Sequence, residues 1–462
     1  MRKDKLYAVG SLALFVWMSM TYFLFIHRPN GEAVRRRLVG LIDKDKTVSD
    51  SLNSFRIKLT DFEQRLKSAS LDNSQLLETL LEAVNESRRQ NDEKDKSVIN
   101  ENAKKRGQNP DNKDVVQKSS LVIAVLMFAC NRVTVSTALD SLLAYRKDKK
   151  KFPIIVSQDC GHAETAQVIQ SYGDQIQYIQ QPDQSSISTI PKKERKFAGY
   201  FKIARHYGWA LNHTFSKYDQ VIIVEDDLEV APDFYEYFEA TLPILKADKD
   251  LWCVSAWNDN GKGGLIDPAT PELLYRTDFF GGLGWMLTKE LWNEIGPKWP
   301  HSYWDDWMRQ PVQRKGRACI RPEISRTKTF GKIGVSNGLF FDKHLKFIQL
   351  NEKPVNFLAD GQNMSYLLKS PYDQQMDKIL NQSPVVSLMD LKNGQVSGHQ
   401  TVRVIYHTKD VFKKTARSLG IMDDFKSGVP RMAYKGVVST MYKGQRVFVA
   451  PNVNWKGYDP SW

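Results

Sequence analysis

The sequence predicts an α/β fold organised on a mostly parallel sheet, followed by a smaller α+β domain and preceded by a transmembrane helix and a coiled-coil stem. Three observations carry that prediction. From Leu121 to Val224, short apolar runs rich in β-branched residues alternate with amphipathic stretches, the pattern of strands joined by crossover helices that cover both faces of a sheet. The last of these runs, Val221 to Val224, leads directly into Glu225, Asp226 and Asp227, and the carboxyl ends of strands are where open α/β sheets collect ligands. Before all of this, Leu6 to Ile26 contains no charged residue and at helical rise spans about 30 Å of hydrocarbon.

Taken from the amino terminus, residues 1–5 form a short basic tail and residues 6–26 a signal anchor. A cleaved signal peptide would have a shorter apolar region and a small-residue cleavage site, which Phe23-Leu24-Phe25-Ile26 does not supply. Arg2, Lys3 and Lys5 on one side are matched by Arg28 and Arg35 to Arg37 on the other, so charge bias alone does not orient the span. The short leading tail favours a single-pass type II arrangement with the bulk of the chain luminal. Residues 27–117 form the stem, aromatic only at Phe55 and Phe62. Within it, residues 52–83 place Leu52, Phe55, Leu59, Phe62, Leu66, Ala69, Asn73, Leu76, Leu80 and Ala83 at alternating spacings of three and four. That is a coiled-coil seam with a polar residue at an a position, the usual device for fixing partner register. A homodimer through the stem is expected; a lone amphipathic helix is the plainer reading.

The catalytic-sized region, residues 118–354, reads as strand at Leu121–Phe128, helix at Thr134–Tyr145, strand at Phe152–Val156, helix at Thr165–Tyr172, strand at Ile176–Tyr178, helix at Tyr200–Phe215 and strand at Val221–Val224. After the first strand stands Cys130-Asn131-Arg132, which is neither a dinucleotide fingerprint nor a Walker loop. Phosphates bound here would be neutralised by a metal and side chains instead. Residues 355–462 change texture, with strands expected at Val402–Tyr406, Gly436–Met441 and Arg446–Ala450 and a helix at Thr408–Leu419.

The net charge of +13 is spread along the chain without any recognition-module pattern, so nucleic acid is not an expected partner; a membrane surface and an anionic substrate are. Cys130, Cys160, Cys253 and Cys319 form no C-x-x-C pair, which disfavours zinc and fits disulfides in an oxidising lumen, with the pairing left open. Sequons at Asn85, Asn212 and Asn363 suit that compartment.

Two acidic clusters are candidate sites. Glu225-Asp226-Asp227 offers dense oxygen ligation for a hard divalent ion that neutralises a phosphate-bearing ligand; an acidic turn before a helix is the plain alternative. In Tyr303-Trp304-Asp305-Asp306-Trp307, desolvation between tryptophans and a neighbouring carboxylate would raise the pKa of Asp305 toward that of a useful base, whereas a cap on a helix starting at Trp307 is the bland reading. Arg205 and His206 read as helix packing and phosphate-facing surface, Trp252 and Trp257 as core, and Gly281, Gly282 and Gly284 as a close backbone approach.

Five blocks then resemble the N-acetylglucosaminyltransferase I family: Phe152 to His162, Val224 to Phe234, Trp252 to Gly261, Tyr303 to Trp307 and Arg321 to Arg326. The resemblance runs from Leu121 to Trp462, while the anchor and stem match only in plan. It implies a GT-A-type, inverting transferase of the Golgi membrane that uses UDP-GlcNAc and Mn²⁺. The reaction implied is β-1,2 transfer of N-acetylglucosamine to the α-1,3 mannose arm of oligomannose N-glycans on glycoproteins. By the same resemblance Asp227 is the only direct protein ligand of the metal, Asp226 binds the ribose, Glu225 the sugar hydroxyls, Arg132 and Asp159 the nucleotide, and Ser336 the phosphates. Asp305 is the base, and Trp304, Leu283 and Leu345 wall the sugar pocket. Glu194, just before Arg195-Lys196-Phe197, stands where the family pattern is read to place a base-pocket histidine. The rivals are a sister transferase acting on protein O-mannose and an inactive glycan-binding protein.

Overall fold

The computed structural model describes residues 121–335, 338, 340–359, 363–396 and 401–462. The expected membrane helix, stem and coiled coil, and Ser336, lie outside the described residues. Among the described residues no helix is long and apolar enough to cross a membrane.

The predicted alternation is present, with ends displaced by a few residues. Strands β1 (Ala124–Ala129), β2 (Ile154–Gln158), β3 (Gln177–Gln180) and β4 (Gln220–Glu225) are separated by helices α1 (Val135–Tyr145), α2 (Ala163–Gln170) and α3 (Ala198–Phe215). There follow β5 (Leu228–Val230), α4 (Phe234–Ala247), β6 (Leu251–Ser255), β7 (Leu274–Thr277), β8 (Trp285–Thr288), α5 (Lys289–Ile295), α6 (Trp304–Met308), α7 (Pro311–Arg314), β9 (Ala318–Pro322) and β10 (Thr327–Thr329). The main sheet has the order β3-β2-β1-β4-β8-β6-β9-β7. Strands β3, β2, β1 and β4 pair in parallel, as do β6 and β9. The pairs β4–β8, β8–β6 and β9–β7 are antiparallel, so the parallel character is concentrated in the half built by crossover helices.

Strand β1 is buried along its whole length, which explains its unbroken apolar run. Its side chains alternate between two cores. Val125 and Met127 join α1 and α4 on one face, while Ala124, Leu126 and Phe128 join α3 and the tryptophans on the other. Strand β4 divides likewise, Ile222 and Val224 against Val221 and Ile223. The acidic end of β4 therefore emerges at the middle of a sheet clamped from both sides. It does not run into a helix: β5 pairs antiparallel with β10, Leu228 opposite Thr329.

Both disulfides form. Cys130–Cys160 ties the ends of β1 and β2, and Cys253–Cys319 joins β6 to β9. Trp252 and Trp257 are buried, as expected.

After α8 (Lys369–Gln382) and α9 (Leu388–Lys392), strands β11 (Thr401–Tyr406), β14 (Val438–Tyr442) and β15 (Gln445–Pro451) form a second sheet in the order β11-β15-β14. The alternating burial of β11 presents Val402, Val404 and Tyr406 to Phe412, Ala416 and Leu419 of α10 (Lys409–Leu419). Phe279 of the first region enters this same cluster. Between α10 and β14, β12 (Phe425–Lys426) and β13 (Val429–Pro430) make a tight hairpin. Its turn residues Ser427 and Gly428 both have positive φ, 48° and 81°, the backbone that a two-residue hairpin loop needs.

The lead-in to β10 is held by a buried ion pair. Asp233 Oδ2 accepts from Arg326 Nη2 at 3.0 Å and Nε at 3.3 Å, from Asn351 Nδ2 at 3.0 Å and from the Val355 amide at 3.2 Å. Both charged side chains are almost wholly removed from solvent. Removing one partner strands a buried guanidinium, so Asp233→Ala should lower stability by about 3–5 kcal/mol. Urea unfolding of the disulfide-intact chain checks this, and a loss below about 1 kcal/mol, the scale of an exposed pair, would show that the arginine finds another acceptor.

Candidate active site

At the end of β4 three carboxylates are closely spaced and short of counter-charge. Arg132, on the loop after β1, donates through Nε to Asp226 Oδ1 at 3.0 Å and lies 3.5 Å through Nη2 from Asp227 Oδ2. The Cys130 amide also donates to Asp226 Oδ2 at 3.3 Å. Glu225 accepts at 2.7 Å from the hydroxyl of Tyr207 on α3. Asp227 Oδ1 is buried and has no hydrogen-bond partner among the described residues.

Burial dominates the electrostatics. It pushes Glu225 up to about 7, helped by the charge of Asp227 and opposed by the Tyr207 hydrogen bond. Asp227 rises to about 6, first by burial, with Arg132 opposing and Asp226 adding. Asp226 is also raised by burial against the pull of Arg132. A carboxylate oxygen withdrawn from water without a partner is costly, and that is the condition a hard cation relieves. Among the described residues no group of three or more His, Cys, Asp or Glu side chains stands ready as a cation cage. The orphaned Oδ1 of Asp227 therefore fits a site in which one carboxylate holds a cation whose remaining ligands come from elsewhere.

The backbone around Asp227 is shaped to the same end. A Cβ at Gly331 would lie 1.9 Å from Asp227 Oδ2, so only glycine can pass there. Beyond it, Ile333 O accepts from Arg132 Nη2 at 2.9 Å, and Val335 packs so closely on Gly199 that a Cβ there would meet it at 3.0 Å. The segment 331–335 thus crosses over the arginine and leads to position 336.

Asp305 lies on α6, which begins at Trp304 and not at Trp307, so Asp305 and Asp306 occupy its first turn. Their setting differs from the desolvated like-charge pair expected. Arg309 Nη1 donates to Asp305 Oδ2 at 2.7 Å and to Asp306 Oδ1 at 2.9 Å, and both carboxylates are nearly half exposed. Lys426, from the β12–β13 hairpin, donates to Asp306 Oδ2 at 3.0 Å. Burial would raise Asp306, but Arg309 and Lys426 together hold it below the usual carboxylate range. Asp305 Oδ1 keeps no hydrogen-bond partner among the described residues.

An aromatic column joins the two acidic groups. The Tyr207 ring stacks on Phe128 at 3.7 Å and on Trp304 at 4.4 Å, and Trp304 in turn lies 5.8 Å from both Trp285 and Trp299. The charge of Asp305 bears on both Tyr207 and Glu225. Leu283 and Tyr303 have left-handed backbone, each with φ of 48°; such strain costs about 1–3 kcal/mol and gathers at functional sites. Around Leu283, Gly282 and Gly284 also have positive φ, and a Cβ at Gly284 would meet Thr327 at 2.6 Å, so at Gly284 the close approach is to β10. Leu345 starts a short helical turn, Leu345–Phe347, that runs beside β10.

The remaining candidates divide. Asp159, whose amide bonds Ala129 O at 2.9 Å, is buried at the end of β2. His206 lies close by: its Nε2 is 2.7 Å from Ser157 Oγ, and burial pushes the imidazole down to about 4 against the charge of Asp159. Glu194 sits on the exposed-rimmed turn Lys192–Phe197, where its charge is felt by Tyr303. Tyr207, His206, Arg309 and Lys426 had not been singled out for these places. Only Arg309 left a trace, standing four residues after Asp305 and three after Asp306, the spacing that brings side chains together on one helical face.

Comparison with known proteins bears on most of the chain. A family model described as the GNT-I family matches residues 40–462. The alpha-1,3-mannosyl-glycoprotein 2-beta-N-acetylglucosaminyltransferase of Arabidopsis thaliana is 40% identical over 321 residues, covering 69% of this chain and 71% of that protein. Solved structures give weaker likenesses. S. aureus TarS 1-349 in complex with UDP-GlcNAc matches at 14% identity and a TM-score of 0.26, over 38% of this chain and 47% of that one. The mannosyltransferase PcManGT from Pyrobaculum calidifontis, in complex with GDP-Man and Mn²⁺, matches at 14% and 0.26, over 43% and 53%. The chain thus spans about half the length of each of these two, and neither adds to what the topology shows.

The raised carboxylates make stability depend on pH. Above the ordinary carboxylate range and up to about 7, folded Glu225 and Asp227 hold protons that the unfolded chain has released, so their contribution to stability falls as pH rises through that interval. Glu225→Gln should match wild type near pH 4.5 and become progressively the more stable of the two toward about pH 7.5. Thermal unfolding of both across this range, without divalent ions, checks the sign; a gap that stays constant would mean that Glu225 does not titrate there.

Proposed function

This chain belongs to the GNT-I family, and from that premise we propose that it transfers N-acetylglucosamine from UDP-GlcNAc to the α-1,3 mannose arm of oligomannose N-glycans in β-1,2 linkage. The observation that carries the reading is Asp227 Oδ1, buried and unpartnered beside two further carboxylates, with Asp305 offering a free oxygen across the Tyr207–Trp304 stack. Neither the O-mannose reading nor the inactive one is favoured by any observation.

Asp227 would hold a divalent ion, Mn²⁺ by family resemblance, whose Lewis acidity supplies charge neutralisation at the donor diphosphate. The chain's own groups do the rest. Arg132 and Asp226, already bonded to each other, present a fork and a carboxylate to the nucleoside, and the buried pair Asp159 and His206 lies at the next strand end for the base. Glu225, oriented by the Tyr207 hydroxyl, accepts from sugar hydroxyls. Leu283, Trp304 and Leu345 would give the sugar apolar walls, and Ser336 is assigned to the phosphates by family resemblance. Arg309 fixes one oxygen of Asp305, so that the other takes the proton of the attacking mannose hydroxyl; attack opposite the leaving group inverts the anomeric carbon. Lys426 and Arg309 together hold Asp306 in ion pairs, whereas Asp305 has Arg309 alone among the described residues, which supports Asp305 as the group that takes the proton.

We also propose a Golgi-membrane, type II location with the folded region luminal. Two disulfides that use every cysteine among the described residues support an oxidising compartment, and the apolar run at residues 6–26 supports the anchor.

Incubation with UDP-GlcNAc, Mn²⁺ and an oligomannose glycan should yield a single β-1,2-linked N-acetylglucosamine on the α-1,3 arm by linkage analysis; donor hydrolysis alone would overturn the proposal. Asp227→Ala should lose Mn²⁺-dependent UDP binding in calorimetry as well as transfer. Asp305→Asn should bind donor normally while turnover drops at least about a hundredfold, and a matching loss of donor affinity would reassign Asp305 to UDP binding.

A further inference from the structure

A second cleft, of about 450 Å³, opens on a different face of α3 from Tyr207. Phe201, Ala204, Arg205 and Gly208 line it at spacings of three and four, the repeat of one helical face. Its other walls are residues 183–189, which follow β3, and the segment 299–301. The volume falls within the range of about 300–1,000 Å³ typical of small-molecule sites.

The lining has a definite chemistry. Trp299 donates its indole N–H to Ala204 O at 2.9 Å, which fixes the ring and leaves its face as wall. Trp209 adds a second, half-buried indole. Around them the hydroxyls of Ser186, Ser188 and Thr189 and the imidazole of His301 have no hydrogen-bond partner among the described residues. Arg205 does not make the cleft cationic: Nη1 donates to Asp183 Oδ2 at 2.9 Å and Nη2 to Ser185 O at 3.1 Å. Its Nε is buried and unpartnered. With that charge cancelled and no lysine in the lining, an anion gains nothing here. A neutral ring with one C–H face and a hydroxyl edge does, because the face stacks on indole and the edge meets the free hydroxyls.

The cleft shares a wall with the reaction centre. The Trp299 ring stacks at 5.8 Å and 21° on Trp304, which immediately precedes Asp305. Residues 300–303 connect the two along the surface. We propose that this cleft is a second carbohydrate subsite, which takes a neutral hexose of the branched acceptor other than the mannose that reacts. The inference rests on the function proposed above and extends it to the part of the acceptor distant from the chemistry.

The test uses the full-length protein with UDP-GlcNAc and Mn²⁺ on two acceptors, a branched oligomannose glycan and an unbranched α-1,3-mannobioside. Asp183→Ala and Trp209→Ala should each raise KM for the branched glycan about tenfold, as the loss of one good contact does. The KM for UDP-GlcNAc, kcat, and kcat/KM on the mannobioside should stay at wild-type values. Asp183 is more than half exposed, so its variant keeps the test valid should Trp209→Ala fail to fold. An unchanged KM for the branched glycan, or equal losses on both acceptors, would overturn the subsite while leaving the proposed function intact. Wild-type protein that transfers to neither acceptor would overturn both.

Discussion

Three carboxylates confined at the end of one buried strand, with a single arginine among the described residues paired to them, set the terms for the rest of this molecule. Charge in a low-dielectric interior is tolerated only when paired, yet Arg132 reaches Asp226 and Asp227 and leaves one oxygen of Asp227 unserved. The cluster cannot relax by moving outward. Strand β4 lies between β1 and β8, its apolar residues divided between two cores, and Gly331 passes too close for any other residue. The fold therefore holds an excess of negative charge in place, and that is the condition a hard cation relieves.

The aromatic column converts this fixed point into a working distance. Phe128 comes from the central strand, Tyr207 from α3 and Trp304 from the helix that carries Asp305. Stacked rings are stiff and leave few alternatives to their spacing, so the position of Asp305 relative to Glu225 is set by packing and not by a flexible loop. Arg309 completes the setting from within α6, and Tyr303, immediately before that helix, is held in its left-handed backbone beside the rings of Tyr200 and Phe201.

Much of this was legible in the residues. The fully apolar run around Leu126 and the β-branched run ending at Glu225 announced buried parallel strands, because only strands covered on both faces lack polar alternation. The antiparallel entry of β8 was not legible, since pairing direction there depends on connections without a crossover helix. The environment of Asp305 is not legible in the same way: neighbouring tryptophans imply desolvation, but exposure and the reach of Arg309 are set by three-dimensional packing. His206 was read as helix packing, and its place beside Asp159 depends on how α3 lies across β2, which no local pattern encodes. The stem and the anchor rest on sequence alone.

The hairpin that carries Lys426 has a further meaning. Residues 117–462 form one compact unit, and the smaller sheet and its flanking segments are joined to the larger by apolar packing at Phe279 and by ion pairs that include Arg446 with Glu323, Arg431 with Asp259 and Lys426 with Asp306. The carboxy-terminal region thus supplies counter-charge to the carboxylates of α6 and is not a removable appendage. A replacement at the tip of that hairpin is felt at Asp306, and a chimera that exchanges the last hundred or so residues exchanges one of the two cations that, among the described residues, hold that carboxylate.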